Sequence, residues 1–219
     1  MVEISELFDL DRTIAAELFA GKTYPWEVLP EIKDFIFKLG DTLDEAEFDH
    51  PSDGVWIAKD ATVFPSAYIG SPCIIDHGAE VRQCAFIRES AIVGKNAVVG
   101  NSTELKNVVL FDNVQVPHYN YVGDSVLGYK AHMGAGSITS NVKSDKTPVV
   151  IKEPGNAHET GRKKVGAMLG DNVEVGCNSV LNPGTVIGRC SNVYPTSCVR
   201  GVIPANSIFK DKDNIVSKK

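Results

Sequence analysis

The sequence has no excess of positive charge. Its 22 Lys and Arg stand against 28 Asp and Glu, for a formal charge of -6. The molecule as a whole therefore has no electrostatic reason to seek nucleic acid or an anionic membrane surface, and neither is expected as a partner. Any phosphate it binds must be met by a few placed cations. No apolar run reaches membrane-spanning length, and residues 1–7 lack the basic region and apolar core of a secretion signal, which points to a cytoplasmic protein. The five cysteines, Cys73, Cys84, Cys177, Cys190 and Cys198, are odd in number and never spaced C-x-x-C, so they read as reduced thiols rather than as a disulfide frame. At 219 residues the chain allows one domain with a small appendage.

What the sequence does contain is a repeat. Ile57, Val63, Ile69, Ile75, Val81, Ile87, Val93, Val99, Leu105 and Phe111 follow one another at a spacing of six, a period that no helix or ordinary strand has. Four residues after each comes a small one in most units, among them Ala61, Ala67, Cys73, Ala79, Ala85, Ala91, Ala97 and Thr103. The pattern predicts a triangular all-β solenoid. Three short strands make a coil of about 18 residues, with aliphatic side chains inward and small residues at the corners. The register resumes at Leu169, Val175, Leu181, Ile187, Val193 and Val199, so the solenoid is expected over 55–205. Between the two runs, the unit at 122–126, Val-Gly-Asp-Ser-Val, is one residue short, and a polar cluster replaces the repeat over 117–141.

Before the repeat, apolar residues at Leu7, Ile14, Leu18 and Phe19 suit a helix from about Asp11 to Gly21. Val28, Ile32, Phe35, Ile36 and Leu39 suit a second, from Tyr24 to Gly40. Residues 1–54 are read as a helical cap over the open end of the solenoid, with 41–54 as its connector. Residues 142–168 leave the register and carry Lys143, Lys146, Lys152, Arg162, Lys163 and Lys164, a basic loop in an acidic protein. A protruding segment of that length is usually functional, and its charge suits a lid over an anionic substrate, with a solvated surface hairpin as the alternative. Residues 206–219 form a tail.

The hexads resemble those of the hexapeptide-repeat acyltransferases, whose fold is a left-handed parallel β-helix assembled as a homotrimer with active sites between subunits. Thr103-Glu104-Leu105-Lys106, the run His118-x-x-Tyr121-Val-Gly-Asp and the segment from Leu127 to Ile138 are similar to the acetyltransferase domain of the bifunctional N-acetylglucosamine-1-phosphate uridyltransferases, over roughly residues 80–205. That resemblance implies an acetyl-coenzyme A-dependent N-acetyltransferase acting on an amino sugar phosphate. His118 would be the general base, Arg88 and Lys106 would hold the phosphate, Tyr121 and Asn141 would contact the sugar, and Lys164 would be the substrate-contacting Lys before the register resumes. Cys177, Pro195 and Lys210 would lie along the coenzyme. His132 stands where the family has Asn, and Cys177 where it has Ser. Nothing before residue 55 resembles the nucleotidyltransferase domain that precedes this coil in the bifunctional enzymes.

The chemistry asks for these types independently. Acetyl transfer needs the free amine, and an imidazole, which titrates near neutrality, suits removal of its proton. Arg88 and Lys106 are one 18-residue coil apart, a spacing that would let both reach one phosphate. Glu104 is a candidate to orient His118. No metal site is expected, because His77, His118 and His132 lack the paired spacing of the carbonic anhydrases built on the same fold. The competing reading is a non-catalytic trimeric scaffold that binds a sugar nucleotide or regulates a partner enzyme.

Overall fold

The computed structural model describes residues 1–218. Parallel rungs run from Val55–Ala58 to Ser207–Asp211 on three faces. The second face starts at Thr62–Val63 and the third at Tyr68–Ile69. The corner from the third face back to the first is crossed by three long bent strands, Phe86–Val93, Glu104–Leu110 and Tyr121–Leu127. Most corners are turned by one residue in the left-handed region. Cys84, Ser102, Tyr119, Asn178 and Thr196 follow one another at one corner, and Ser90, Asn107 and Asp124 at another, with φ between 47° and 59°. Short polar residues dominate these positions because they visit that region at least cost.

The hexad residues stack inward as expected, with one correction. Leu110, not Phe111, pairs with Val93, because the unit from Leu105 to Leu110 is already one residue short. Coils through this region have 17 residues, as the succession Ser90, Asn107, Asp124 records. Phe111 is buried on the outside instead, where its ring meets Phe8 at 5.1 Å and Phe19 at 5.6 Å.

On the first face the outward positions are apolar as well. Trp56, Ile74, Ile92, Val109, Val126, Met168 and Val186 form a stripe that is at most 6% exposed. The N-terminal segment covers it. This corrects the expected location of the cap: it lies along the side of the prism and packs its helix Ile32–Gly40 on the strands carrying Ile74, Ile92 and Val109. Gly40 ends that helix where a Cβ would strike the Trp56 ring at 2.4 Å. The expected helix from Asp11 to Gly21 is instead a series of short turns, Leu10–Arg12 and Ala16–Phe19, that follow the surface contour. Burial of Leu7, Phe8, Leu18 and Phe19 prevails there over local helical propensity. The segment is pinned by the buried Asp171, which accepts the N–H of Asp9 at 2.8 Å and of Tyr129 at 2.8 Å.

Residues 142–168 contain a hairpin, Val150–Glu153 paired with Asn156–Glu159. It is anchored rather than solvated, since Val149 and Ile151 are fully buried. At the C-terminal end Asn214–Ser217 folds back antiparallel on the last rung.

Candidate functional site

The short units place polar side chains together at one corner, facing the N-terminal segment. Asp124 is 2% exposed and is the hub. Its carboxylate accepts from Asn141 Nδ2 at 2.6 Å, from Asn107 Nδ2 at 2.9 Å and from Lys106 Nζ at 3.3 Å. Asn141 Nδ2 also lies 3.2 Å from the Tyr121 hydroxyl, which leaves that hydroxyl's own proton free for a ligand. Burial first, and then the carboxylates of Glu104 and Asp124, push the Tyr121 phenol above its ordinary value, so it stays a neutral donor. Gly123 is required here: a Cβ would come within 2.5 Å of the Tyr121 hydroxyl and 2.9 Å of Asn141 Nδ2.

Lys106, Tyr121 and Asn141 thus converge as the sequence suggests. Lys164 lines the same cleft of about 550 Å³ with Lys106, Asn107 and Asp124. Arg88 does not sit directly across from Lys106. The strand Phe86–Val93 holds an extra residue, so Glu89 pairs with Lys106, and Arg88 turns to Glu104 at 3.1 Å. That ion pair also corrects the expectation for Glu104, whose carboxylate engages Arg88 and makes no hydrogen bond to His118. Asp124 and Asn107 were missed as site residues. The one-residue deletion at their corners is the signal that points to them.

His118 ends the strand Gln115–His118 with its side chain exposed. Its N–H donates to Asn120 Oδ1 at 3.1 Å, while Asn120 Nδ2 donates to the carbonyls of Gly134 and Ser137, which fixes the turn beneath it. Successive coils continue its edge. The Gly136 N–H donates to the His118 carbonyl, Asn178 to that of Ala135, and Thr196 to that of Cys177. His118, Ala135, Cys177 and Pro195 therefore form one column along the corner between the second and third faces. Beyond it Pro195 and Lys210 share a cleft of about 610 Å³, which Cys177 does not line. His118 and the Asp124 cluster lie at opposite margins of one face that is only three residues wide.

Among the described residues no group of three His, Cys, Asp or Glu is arranged to hold a metal, and no helix is long and apolar enough to cross a membrane.

Hexad rungs on a parallel β-helix, together with the motif residues around His118, define a protein of the hexapeptide-repeat acyltransferase class. More narrowly, residues 69–186 match the family described as the GMPPB C-terminal domain, and the chain belongs to that family. It is 34% identical over 117 residues to the bifunctional protein GlmU of Methanococcus maripaludis, covering 53% of this chain and 28% of that one. Over 232 residues it is 30% identical to the bifunctional sugar-1-phosphate nucleotidylyltransferase/acetyltransferase of Sulfurisphaera tokodaii, covering 95% of this chain and 57% of that one. The chain thus spans well under two thirds of the length of either relative. Among solved structures, the acetyltransferase domain of PglB from Neisseria gonorrhoeae is 16% identical, covers 84% of this chain and 63% of its own, and superposes with a TM-score of 0.35.

Proposed function

We propose that the protein transfers an acetyl group from acetyl-coenzyme A to the amine of a sugar phosphate resembling glucosamine 1-phosphate, at sites formed between the subunits of a homotrimer. The observation that carries this reading is the arrangement of one face. A solvent-facing imidazole stands on the edge that Cys177 and Pro195 continue, and a preorganised polar cluster built on Asp124 faces it across three residues.

His118 takes the proton of the attacking amine, which enters the step as the free base. The nitrogen lone pair adds to the thioester carbonyl, the C–S bond breaks, and the coenzyme leaves as a thiolate that recovers the proton from the imidazolium. Lys106, with Lys164 beside it, meets the phosphate, and Tyr121 and Asn141 orient the ring by hydrogen bonds. Arg88, tied to Glu104, supplies a second cation at the rim. The coenzyme follows the edge from His118 past Cys177 to Pro195 and Lys210. Exposed aromatic side chains on or beside the third face, Tyr68, Phe86, Tyr119 and Tyr194, favour packing of that face against a second prism.

A thiol-release assay with acetyl-coenzyme A and glucosamine 1-phosphate tests the reading beside a His118→Ala variant of unchanged oligomeric size. Turnover that falls on the order of a hundredfold or more in the variant supports it. Turnover that survives in the variant removes His118 as the base. Its absence in the native protein with a panel of amino sugars favours the non-catalytic scaffold.

A further inference from the structure

The N-terminal segment and the loop over 142–168 are outside the hexad repeat, yet they close on the same corner of the prism. The cleft at that corner is lined by five cations, Lys33, Lys106, Arg162, Lys163 and Lys164, against two carboxylates, Glu89 and Asp124. Among the described residues Lys106 pairs with Asp124, while Lys33, Arg162, Lys163 and Lys164 have no carboxylate within ion-pair distance. Arg162 Nε is buried without a hydrogen-bond partner. A protein of net negative charge sets four unpaired cations side by side here, and a buried guanidinium N–H left unmet is costly unless a ligand meets it.

This cleft does not end at Arg162. A second one, of about 450 Å³, shares Arg162 and Pro30 with it and is lined by Tyr24, Trp26 and His158. Tyr24 is half-buried and stacks on the buried Trp26, with ring centroids 4.7 Å apart and planes 4° apart. His158, hydrogen-bonded to Glu153 at 2.7 Å, backs the Tyr24 ring from the side at 5.0 Å. The two clefts make one trough, with an aromatic platform at one end, cations along the middle and, at the other, Lys106 and Asp124, behind which Asn141 bonds both Asp124 and the Tyr121 hydroxyl. A sugar 1-phosphate would fill only the last part. The full extent matches a planar base, two consecutive phosphates and a sugar, since base stacking on a rigid aromatic ring and multidentate phosphate contacts are the ordinary recognition chemistry for such a molecule.

We propose that this trough binds the nucleoside diphosphate half of a nucleotide-linked amino sugar. The phosphates sit on Arg162, Lys163 and Lys33, the base lies against Tyr24, and the sugar is carried to Tyr121 and Asn141. The fate of the sugar rests on the acetyltransferase reading; the binding itself does not.

Isothermal titration of the full chain with UDP, GDP, ADP and inorganic phosphate tests it. At least one nucleoside diphosphate is expected to bind ten times or more tightly than inorganic phosphate. A Lys33→Ala/Lys163→Ala double variant and an Arg162→Met variant are each expected to weaken it at least tenfold, and Tyr24→Leu to narrow its advantage over phosphate, with acetyl-coenzyme A affinity unchanged in all three. Arg162 holds the hairpin through its main chain, where its N–H donates to Thr160 Oγ1 and its carbonyl accepts from Val149, so Arg162→Met is expected to melt as the native protein does. Nucleoside diphosphates that bind no better than phosphate, or that bind the variants as tightly as the native chain, would overturn the proposal. Acetylation of glucosamine 1-phosphate without nucleotide binding would sink this inference and leave the acetyltransferase standing. Nucleotide binding without any acetyl transfer would do the reverse.

Discussion

Asp124 carries more of the site than any residue that touches a substrate in the proposed reaction. It sits in the left-handed region with φ 47°, almost wholly buried, and satisfies Lys106, Asn107 and Asn141 at once. Removing it strands a mostly buried ammonium and takes one acceptor from each of two amides, which keep only the Leu29 carbonyl and the Tyr121 hydroxyl. Asp124→Ala is therefore expected to cost about 3 kcal/mol in chemical denaturation and to raise KM for the acceptor more than for the coenzyme. Asp76 presents the opposite case. It is fully buried, its Oδ2 has no partner, and burial pushes its carboxyl above the ordinary 3.8, partly offset by the His77 N–H and by Lys95. A carboxyl that is harder to ionise when folded binds its proton more tightly in the native state. Its contribution to stability therefore rises as pH falls through the raised value and levels off below 3.8. Asp76→Asn, which keeps an acceptor for the His77 N–H, is expected to be more stable than the native protein at pH 7 to 8. That advantage should disappear in denaturation series carried down towards pH 4. The residue types of the site were legible in the sequence, since His118, Lys106, Tyr121 and Asn141 stand in a motif. Their partners were not. Glu104 is close enough in the chain to suggest His118, but the extra residue in the strand Phe86–Val93 delivers Arg88 to it instead.

At the level of elements, the repeat specified the prism and the N-terminal residues specified only that they were apolar. Hexad periodicity reports which residues point inward; it says nothing of the outward row on each face. Trp56, Ile74, Ile92, Val109 and Val126 occupy that row on the first face, and because both of its rows are apolar, that face must be covered from the side. An alternation read face by face would have located the cover. The same reasoning makes the helix Ile32–Gly40 a stability element. Ile36 is fully buried, whereas Lys38 makes a 3.7 Å ion pair with Glu17 between two largely exposed side chains. Ile36→Ala is expected to cost about 3 kcal/mol. Lys38→Ala should change the denaturation midpoint little, since such exposed pairs contribute less than about 1 kcal/mol. Equal losses in the two variants would contradict the side-cover arrangement. Phe111 shows how one missing residue misleads periodic reading, because it continues the six-residue count while the chain has shifted beneath it.

For the whole molecule, the proposed trimer is open to direct measurement. Light scattering on the purified chain is expected to give three times 23.7 kDa. A Tyr68→Lys/Phe86→Lys variant, which places charge on two exposed aromatic residues of the third face, should lower the mass without unfolding the prism. A single-chain mass for the native protein would remove the intersubunit site and leave His118 facing solvent.

The stacking of rungs has a further consequence. Residues 17 or 18 apart in the chain stand one strand spacing apart in space, about 4.8 Å. The prism is thus a graduated rule. The edge that begins at His118 and continues through Ala135, Cys177 and Pro195 can lengthen or shorten only by whole divisions, one coil at a time. A change in the reach of a bound molecule along that edge therefore comes in steps of about 4.8 Å. Intermediate adjustments fall to the parts that are not graduated: the hairpin, the N-terminal segment and the tail.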